Sequence, residues 1–94
     1  MAAPGRKKTE DRSNLAEHGR RLGALIRHRR DAQQRSRFEI AHESSVSPQQ
    51  LANVEGGRVG DPGFLLIGRI AERLELDLDY LYRAASGREG GLSS

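Results

Sequence analysis

Apolar residues recur at helical spacing through the middle of the chain. Four of them predict the inner face of a first helix, since the second lies seven positions after the first and three and four positions before the last two: Leu15, Leu22, Leu25 and Ile26. The start of this helix is predicted at Asn14, where Glu17 follows three residues later to complete the N-cap.

Three further helix starts are predicted from capping signals. Ser36 with Glu39 has the pattern of a capping box, in which each residue bonds to the backbone of the other. Ser47 with Gln50 repeats it, and Pro48 occupies the first helical position, where its missing N–H costs nothing. A fourth helix is predicted over residues 64–74, capped by Asp61 or equally by Gly63, and a short fifth one from Asp77.

The second and third predicted helices are separated by only a few residues around Ser45 and Val46. Two short helices joined so tightly must cross steeply, which predicts a helix-turn-helix over about residues 36–55. No segment shows the sustained alternation of a strand. We therefore expect an all-α, five-helix domain over residues 14–83, with a flexible basic arm at 1–13 and a flexible tail at 84–94.

Length and composition restrict the function classes. A chain of 94 residues forms one small core at most, and few cores of this size enclose a catalytic cleft, so we expect no enzyme. The absence of cysteine excludes a disulfide scaffold and a thiolate zinc site. The three histidines are not spaced as a ligand pair, so we expect no metal and no cofactor. The longest apolar run, residues 64–67, is too short for a membrane span or a signal-peptide core, so a cytoplasmic protein is expected.

The net charge of +3 is unevenly distributed. Residues 1–37 carry 11 Lys or Arg against 4 Asp or Glu, a net +7, whereas residues 38–94 carry 5 against 9, a net −4. A positive amino-terminal third on an acidic body fits a protein that approaches a polyanion from one side. A solvated basic tail explains the same charges about equally well.

From about Leu22 to Leu81 the chain resembles the helix-turn-helix family of phage repressors, Cro proteins and bacterial xenobiotic-response-element-type (XRE) regulators. The matching positions are Leu22-Gly23, Ile26-Arg27, Arg30, Ser36, Ile40-Ala41, Val46-Ser47, Leu51, Val54-Glu55, Gly57, Pro62, Phe64, Ile67, Ile70-Ala71, Leu74 and residues 78–81. The resemblance implies a lambda-repressor-like fold of bacterial or phage origin. It also implies that the third helix, residues 47–55, enters the major groove of double-stranded DNA.

On this resemblance, Gln49 and Asn53 are the best candidates for base readers, because amides pair well with adenine. Gln50 is a weaker candidate, since the Ser47 backbone could occupy it, and Pro48 could touch a thymine methyl. Without the motif, these amides would be an ordinary polar helix surface.

Phosphate contacts are expected from the borders of the motif. The candidates are Arg37, Ser47, Arg58, Arg6, Lys7 and Lys8. In this family Arg30 and Glu55 would form an ion pair joining the first helix to the end of the third; two solvated charges are the alternative.

Several positions depart from the family pattern. Arg29 and Arg35 replace aliphatic core residues and Gly68 replaces a large apolar one, while Leu25, Leu65 and Leu66 occupy positions that are usually polar. We therefore expect a homodimer or protein-partner surface at Leu65, Leu66, Tyr80 and Tyr82. A rotated fourth helix that buries the leucines internally is the alternative. Ser45 stands where the family often has Gly, at a cost of about 1 kcal/mol if the left-handed turn is kept, so a slightly reshaped turn is expected.

The predicted function is a sequence-specific DNA-binding regulator, most simply a nucleoid-associated repressor that binds an inverted repeat as a dimer. No separate domain for sensing a small molecule is expected. An interaction module, such as an antitoxin or an adaptor bound to another protein, is the main alternative. A non-specific nucleoid binder is a third, favoured by the basic tail and disfavoured by the amides of the third helix.

Overall fold

The computed structural model describes residues 3–87, with side chains from Asn14 onward. Five helices follow one another: α1 (Ala3–Ala32), α2 (Arg37–Ser44), α3 (Pro48–Glu55), α4 (Phe64–Leu74) and α5 (Leu78–Ala85). No strand occurs among these described residues. The predicted all-α class and the five helices are thus confirmed.

The predicted start of α1 at Asn14 is wrong. The helix runs without interruption from Ala3, with Pro4 in its first turn, where proline is tolerated. Lys, Arg and Glu are good helix formers, so a helix anchored by its packed second half extends through this polar segment although no apolar period marks it. The predicted contacts of Arg6, Lys7 and Lys8 fall on side chains outside the described residues.

The other helix starts are confirmed. Ser36 and Ser47 both form complete capping boxes, with Glu39 and Gln50 as their partners. Gly63, one of the two candidates, is the N-cap of α4, and Asp77 is that of α5. The α5 helix ends at Ala85, which is fully buried in the core, so the packed part of the chain continues two residues beyond the predicted end of the domain at 83.

The core lies where the helices converge, and its largest fully buried side chains are Ile26, Ile40, Leu51, Val54, Ile70, Leu74 and Leu81. On the predicted inner face of α1, Leu22 and Ile26 are buried and Leu25 packs against the core in part, whereas Leu15 remains 44% exposed. The apolar period therefore predicted this face correctly for its last turns and wrongly for Leu15.

Two glycines allow α1 to touch the backbone of its neighbours. A Cβ added to Gly23 would lie 2.2 Å from the Val54 carbonyl oxygen, and one added to Gly19 would lie 2.7 Å from that of Val59. These positions are four apart and share one face of the helix. Their missing side chains set how closely α1 approaches the end of α3.

The two short helices α2 and α3 are joined by three residues, Ser45 to Ser47. Ser45 has a left-handed backbone, with φ 60° and ψ 39°, so the left-handed turn is kept and the expected reshaping does not occur. Its N–H and that of Val46 donate to carbonyl groups of the last turn of α2, which terminates that helix. After this connection, α3 packs against the core through Leu51 and Val54, and its opposite face is exposed.

Candidate nucleic-acid interface

The outer face of α3 carries three amide side chains. Gln49 and Gln50 are exposed and Asn53 is partly exposed, while Leu51 and Val54 on the other face are buried. This division follows from the helical period. It places all three predicted amide readers on the surface, together with Pro48 and Ser47, which are also exposed.

The capping box engages one amide, as expected. The backbone N–H of Ser47 donates to Gln50 Oε1 at 2.9 Å, and the backbone N–H of Gln50 donates to Ser47 Oγ at 3.0 Å. The side-chain oxygen of Gln50 therefore caps the start of α3. This bond fixes the orientation of the amide group and with it the direction of Nε2.

The other two amides are joined to Arg58. Gln49 Nε2 donates to Asn53 Oδ1 at 3.0 Å, and Arg58 Nη1 donates to the same oxygen at 3.3 Å. Arg58 thus contacts a candidate base reader, a relationship that its predicted role at a phosphate did not include.

The turn that ends α3 brings Arg58 to this place. Gly57 has φ 72°, and its N–H donates to the Val54 carbonyl while the Arg58 N–H donates to the Asn53 carbonyl at 3.0 Å. This pair of bonds is the Schellman arrangement, which requires a left-handed residue. A glycine at 57 therefore fixes Arg58 against Asn53 through the backbone as well as the side chain.

The predicted ion pair between Arg30 and Glu55 is present and buried. Arg30 Nε and Nη2 donate to the two carboxylate oxygens of Glu55 at 2.7 and 2.9 Å, and the Glu55 side chain is 2% exposed. The hydrogen bonds that Arg30 donates to Glu55 raise the pKa of Arg30 above its ordinary value. A two-point contact of this kind fixes direction as well as distance, and it joins α1 to the last residue of α3.

Arg37 also binds Glu55. Its Nε donates to Glu55 Oε1 at 3.1 Å, while its side chain stays 46% exposed. The guanidinium at the start of α2 is therefore held at one edge and open to solvent at the other. The sequence placed Arg37 correctly on the surface but gave no sign of this bond, because Glu55 is 18 residues away.

The predicted partner surface is divided by the fold. Leu65 is 68% exposed, Leu66 is packed in part against the core, and the two tyrosines line different depressions. Tyr82 borders a cleft of about 630 Å³ between α1, the start of α4 and α5, whereas Tyr80 lies beside Leu25. The rotated-helix alternative is thus met in part by Leu66, which is partly buried, and fails for Leu65.

The exposure of two phenylalanines was not predicted from the sequence. Phe64, at the first position of α4, is 75% exposed and borders the same cleft as Tyr82; Phe38 on α2 is 70% exposed. The position of Phe38 two residues before Ile40 was a usable signal, since two steps along a helix change its face.

Arg29 and Arg35, which stand at positions where the resemblance implied aliphatic residues, make polar contacts. Arg29 donates to the carbonyl oxygens of Leu74 and Glu75 at 2.9 and 3.2 Å, at the end of α4. Arg35 bonds to Glu43 at 2.5 Å. A Cβ at Gly68 would meet nothing within 4 Å, so that glycine faces open space. None of these three residues is buried in the core, and only the exposed residues support a partner.

Comparison of the sequence with protein-family models and with curated proteins gives no match. Across residues 3–87, no helix is long and apolar enough to cross a membrane. No group of three or more His, Asp or Glu that could hold a metal occurs within the same part of the chain.

Proposed function

We propose that this chain is a sequence-specific DNA-binding regulator of the repressor and Cro type, with α3 as the helix that enters the major groove. The observation that carries the proposal is the outer face of α3: three surface amides stand on a short helix whose inner face is fully packed. Amides offer both donors and acceptors to base edges. The helix, three-residue connection and helix that present them match the docking element of such proteins.

The surrounding charges support the same proposal. Arg37 and Arg58 are each bound to a residue of α3, through Glu55 and Asn53, and each keeps exposed surface. Guanidinium groups beside a reading helix are suited to phosphate oxygens, which set the register of the protein on the duplex. Arg37 adds a charge to the start of α2, where backbone N–H groups favour an anion.

The regulator would act as a dimer on an inverted repeat, most simply as a repressor in the cytoplasm at the nucleoid. Support comes from the exposed aromatic residues Phe64 and Tyr82, which border one cleft, and from the exposed Leu65 next to Phe64 in α4, since large uncovered apolar surfaces are uncommon in monomers. With α3 of each subunit in one major groove, half-sites about one helical turn apart are expected.

Selection of bound sequences from a random DNA pool tests the proposal, followed by measurement of the mass of the selected complex. We expect an enriched inverted repeat bound by two chains, with affinity that falls steeply with salt. Enrichment of no sequence would overturn the proposal. Binding that random competitor DNA abolishes at modest salt would instead indicate the non-specific nucleoid binder.

A second candidate function is a protein-interaction module such as an antitoxin or an adaptor. The cleft beside Phe64 and Tyr82 favours it, because an apolar cleft on a small domain can seat a partner's side chains. Phe64→Ser should then abolish a complex with that partner and leave the DNA affinity of the monomer unchanged, whereas Phe38→Ser on α2 serves as the matched exposed control.

A further inference from the structure

Three amides lie on the outer face of α3, and the structure gives each a different hydrogen-bonding capacity. A side-chain amide has an oxygen that accepts and a nitrogen that donates, and only an amide with both available can pair at two points with adenine. What each amide can read therefore depends on which of its ends is already bound within the protein.

Arg58 decides the orientation of Asn53. A guanidinium has five donors and no acceptor, so the Asn53 atom that faces Arg58 Nη1 at 3.3 Å has to be the oxygen. Gln49 approaches that same oxygen at 3.0 Å and must present its nitrogen. One residue that can only donate thus fixes the direction of both amides.

The consequence differs between the two side chains. Both acceptor positions of Asn53 Oδ1 are taken, so Asn53 can offer only the N–H groups of Nδ2. Gln49 spends one N–H of Nε2 and keeps the other together with Oε1. Gln50 lies between these two cases, because the Ser47 N–H occupies one of the two acceptor positions of its oxygen.

We propose that Arg58 is a specificity-determining positioning residue: it makes Asn53 a donor-only reader and leaves Gln49 as the amide that reads adenine. This inference rests on the proposed function. Asn53 would then favour a base edge rich in acceptors, such as N7 and O6 of guanine or O4 of thymine, over adenine, whose N6 amino group has no acceptor to meet.

The proposal corrects the expectation that both amides pair with adenine. Two roles of Arg58 can also be told apart, namely neutralisation of a phosphate and positioning of Asn53. A residue that only neutralised a phosphate would change affinity for every sequence alike, whereas a positioning residue changes which base is preferred.

The test uses the full chain and two matched variants. Arg58→Lys keeps a charged side chain that can only donate, and Arg58→Gln has similar reach but can present an oxygen. The base pair that Asn53 contacts is identified as the one at which Asn53→Ala loses its preference in the selected sequence. Affinities are then measured for duplexes with guanine or adenine at that position.

We expect the wild-type chain to prefer guanine over adenine there by about tenfold, within the range of a good base contact. Arg58→Lys should keep that ratio, and Arg58→Gln should reduce it several-fold while the preference at the base pair of Gln49 is retained. Arg69→Gln, which removes a charge on the exposed side of α4, should leave the ratio unchanged. Adenine selected by wild type, or an equal ratio in Arg58→Gln, would overturn the proposal.

A measurement without DNA tests the hydrogen bonds that link Arg58 and Gln49 to Asn53, here called the relay. The side-chain amide resonances of Gln49 and Asn53 in nitrogen-15 NMR spectra should move in Arg58→Gln and stay close to wild type in Arg58→Lys. Unchanged resonances in Arg58→Gln would overturn the relay even if DNA is bound specifically. Enrichment of no DNA sequence would overturn the proposed function and the reading roles with it, whatever the spectra show.

Discussion

The guanidinium of Arg30 and the carboxylate of Glu55 meet at two points, 2.7 and 2.9 Å, between the last turn of α1 and the end of α3. Both side chains are buried, at 9% and 2% exposure. Because removal of one partner leaves the other charge buried, such pairs hold register more than they add net stability. Arg30 Nη1 also donates to the backbone carbonyl of Arg35. The same guanidinium therefore binds both Glu55 and the segment that follows α1.

Breaking this pair from one side should cost more than removing it entirely. Arg30→Met should lower the free energy of unfolding by roughly 3 kcal/mol, and the double variant Arg30→Met with Glu55→Leu by less. Urea unfolding followed by circular dichroism measures both. A double variant less stable than the single one would show that the pair contributes net stability.

Arg37 provides the matched comparison for the same carboxylate. Arg37→Ala leaves the Arg30 bond in place and removes a half-exposed contact, so it should change stability by less than about 1 kcal/mol. On the proposed function, it should weaken binding to selected and random duplexes by a similar factor. Binding curves for both duplexes at one salt concentration check this; a loss confined to the selected duplex would identify Arg37 as a base reader instead.

The fold was largely predictable where a signal is local. The capping boxes at Ser36 and Ser47 depend on residues three apart, so their pattern could be recognised in the sequence and confirmed in the structure. The start of α1 could not, because the stability of a helix through residues 3–13 depends on propensity and on an anchored neighbour rather than on an apolar period.

The candidate site was predictable in its residues but not in its connections. The positions of Gln49 and Asn53 on one face follow from their spacing, as does the Gln49–Asn53 bond. The contacts of Arg58 with Asn53 and of Arg37 with Glu55 depend on a left-handed glycine and on the docking of α2 against α3. No short-range pattern specifies such tertiary details.

The left-handed backbone of Ser45 is strained, and glycine at this position would relieve the strain. A residue with a Cβ pays about 1 kcal/mol or more in this conformation, whereas glycine does not. Ser45→Gly should therefore raise the free energy of unfolding, by up to about 1 kcal/mol, since glycine also loses more chain entropy on folding. Thermal unfolding measures the change. Ser45→Ala keeps the Cβ and should show no gain; an equal gain in both variants would assign the effect to the lost hydroxyl.

Glu39 should make the start of α2 sensitive to acid. The Ser36 N–H, which donates to Glu39 Oε1 at 2.8 Å, is the main cause that holds the pKa of this carboxyl below its ordinary value of 4.5. A depressed pKa in the folded state gives stability that is complete above the unfolded value and is lost as the pH falls through the folded one. Melting temperatures measured from about pH 6 to about pH 3 should thus fall less steeply in Glu39→Gln than in wild type.

Ser36→Ala is the control for that prediction. It removes the hydroxyl that accepts from Glu39 N and should lower stability by about 1 kcal/mol at every pH. It keeps the backbone N–H that is the main cause of the shift, so its dependence on pH should remain close to that of wild type. A Glu39→Gln profile parallel to wild type would show that the carboxylate contributes nothing specific between these pH values.

Two glycines inside helices should respond in opposite directions to the same substitution. A Cβ at Gly23 would meet the carbonyl oxygens of Val54 and Glu55 at 2.2 and 2.8 Å, so Gly23→Ala has to push α1 away from the end of α3. A Cβ at Gly68 would meet nothing within 4 Å, so Gly68→Ala should stabilise α4 by about 0.5–1 kcal/mol through helix propensity alone. Gly23→Ala should destabilise by roughly 2 kcal/mol, because overpacking against backbone leaves few ways to relax. Chemical denaturation of both variants measures the difference. Equal gains in the two would mean that α1 and α3 are not in backbone contact, and the bond between Arg30 and Glu55 would then lack the close approach on which its geometry depends.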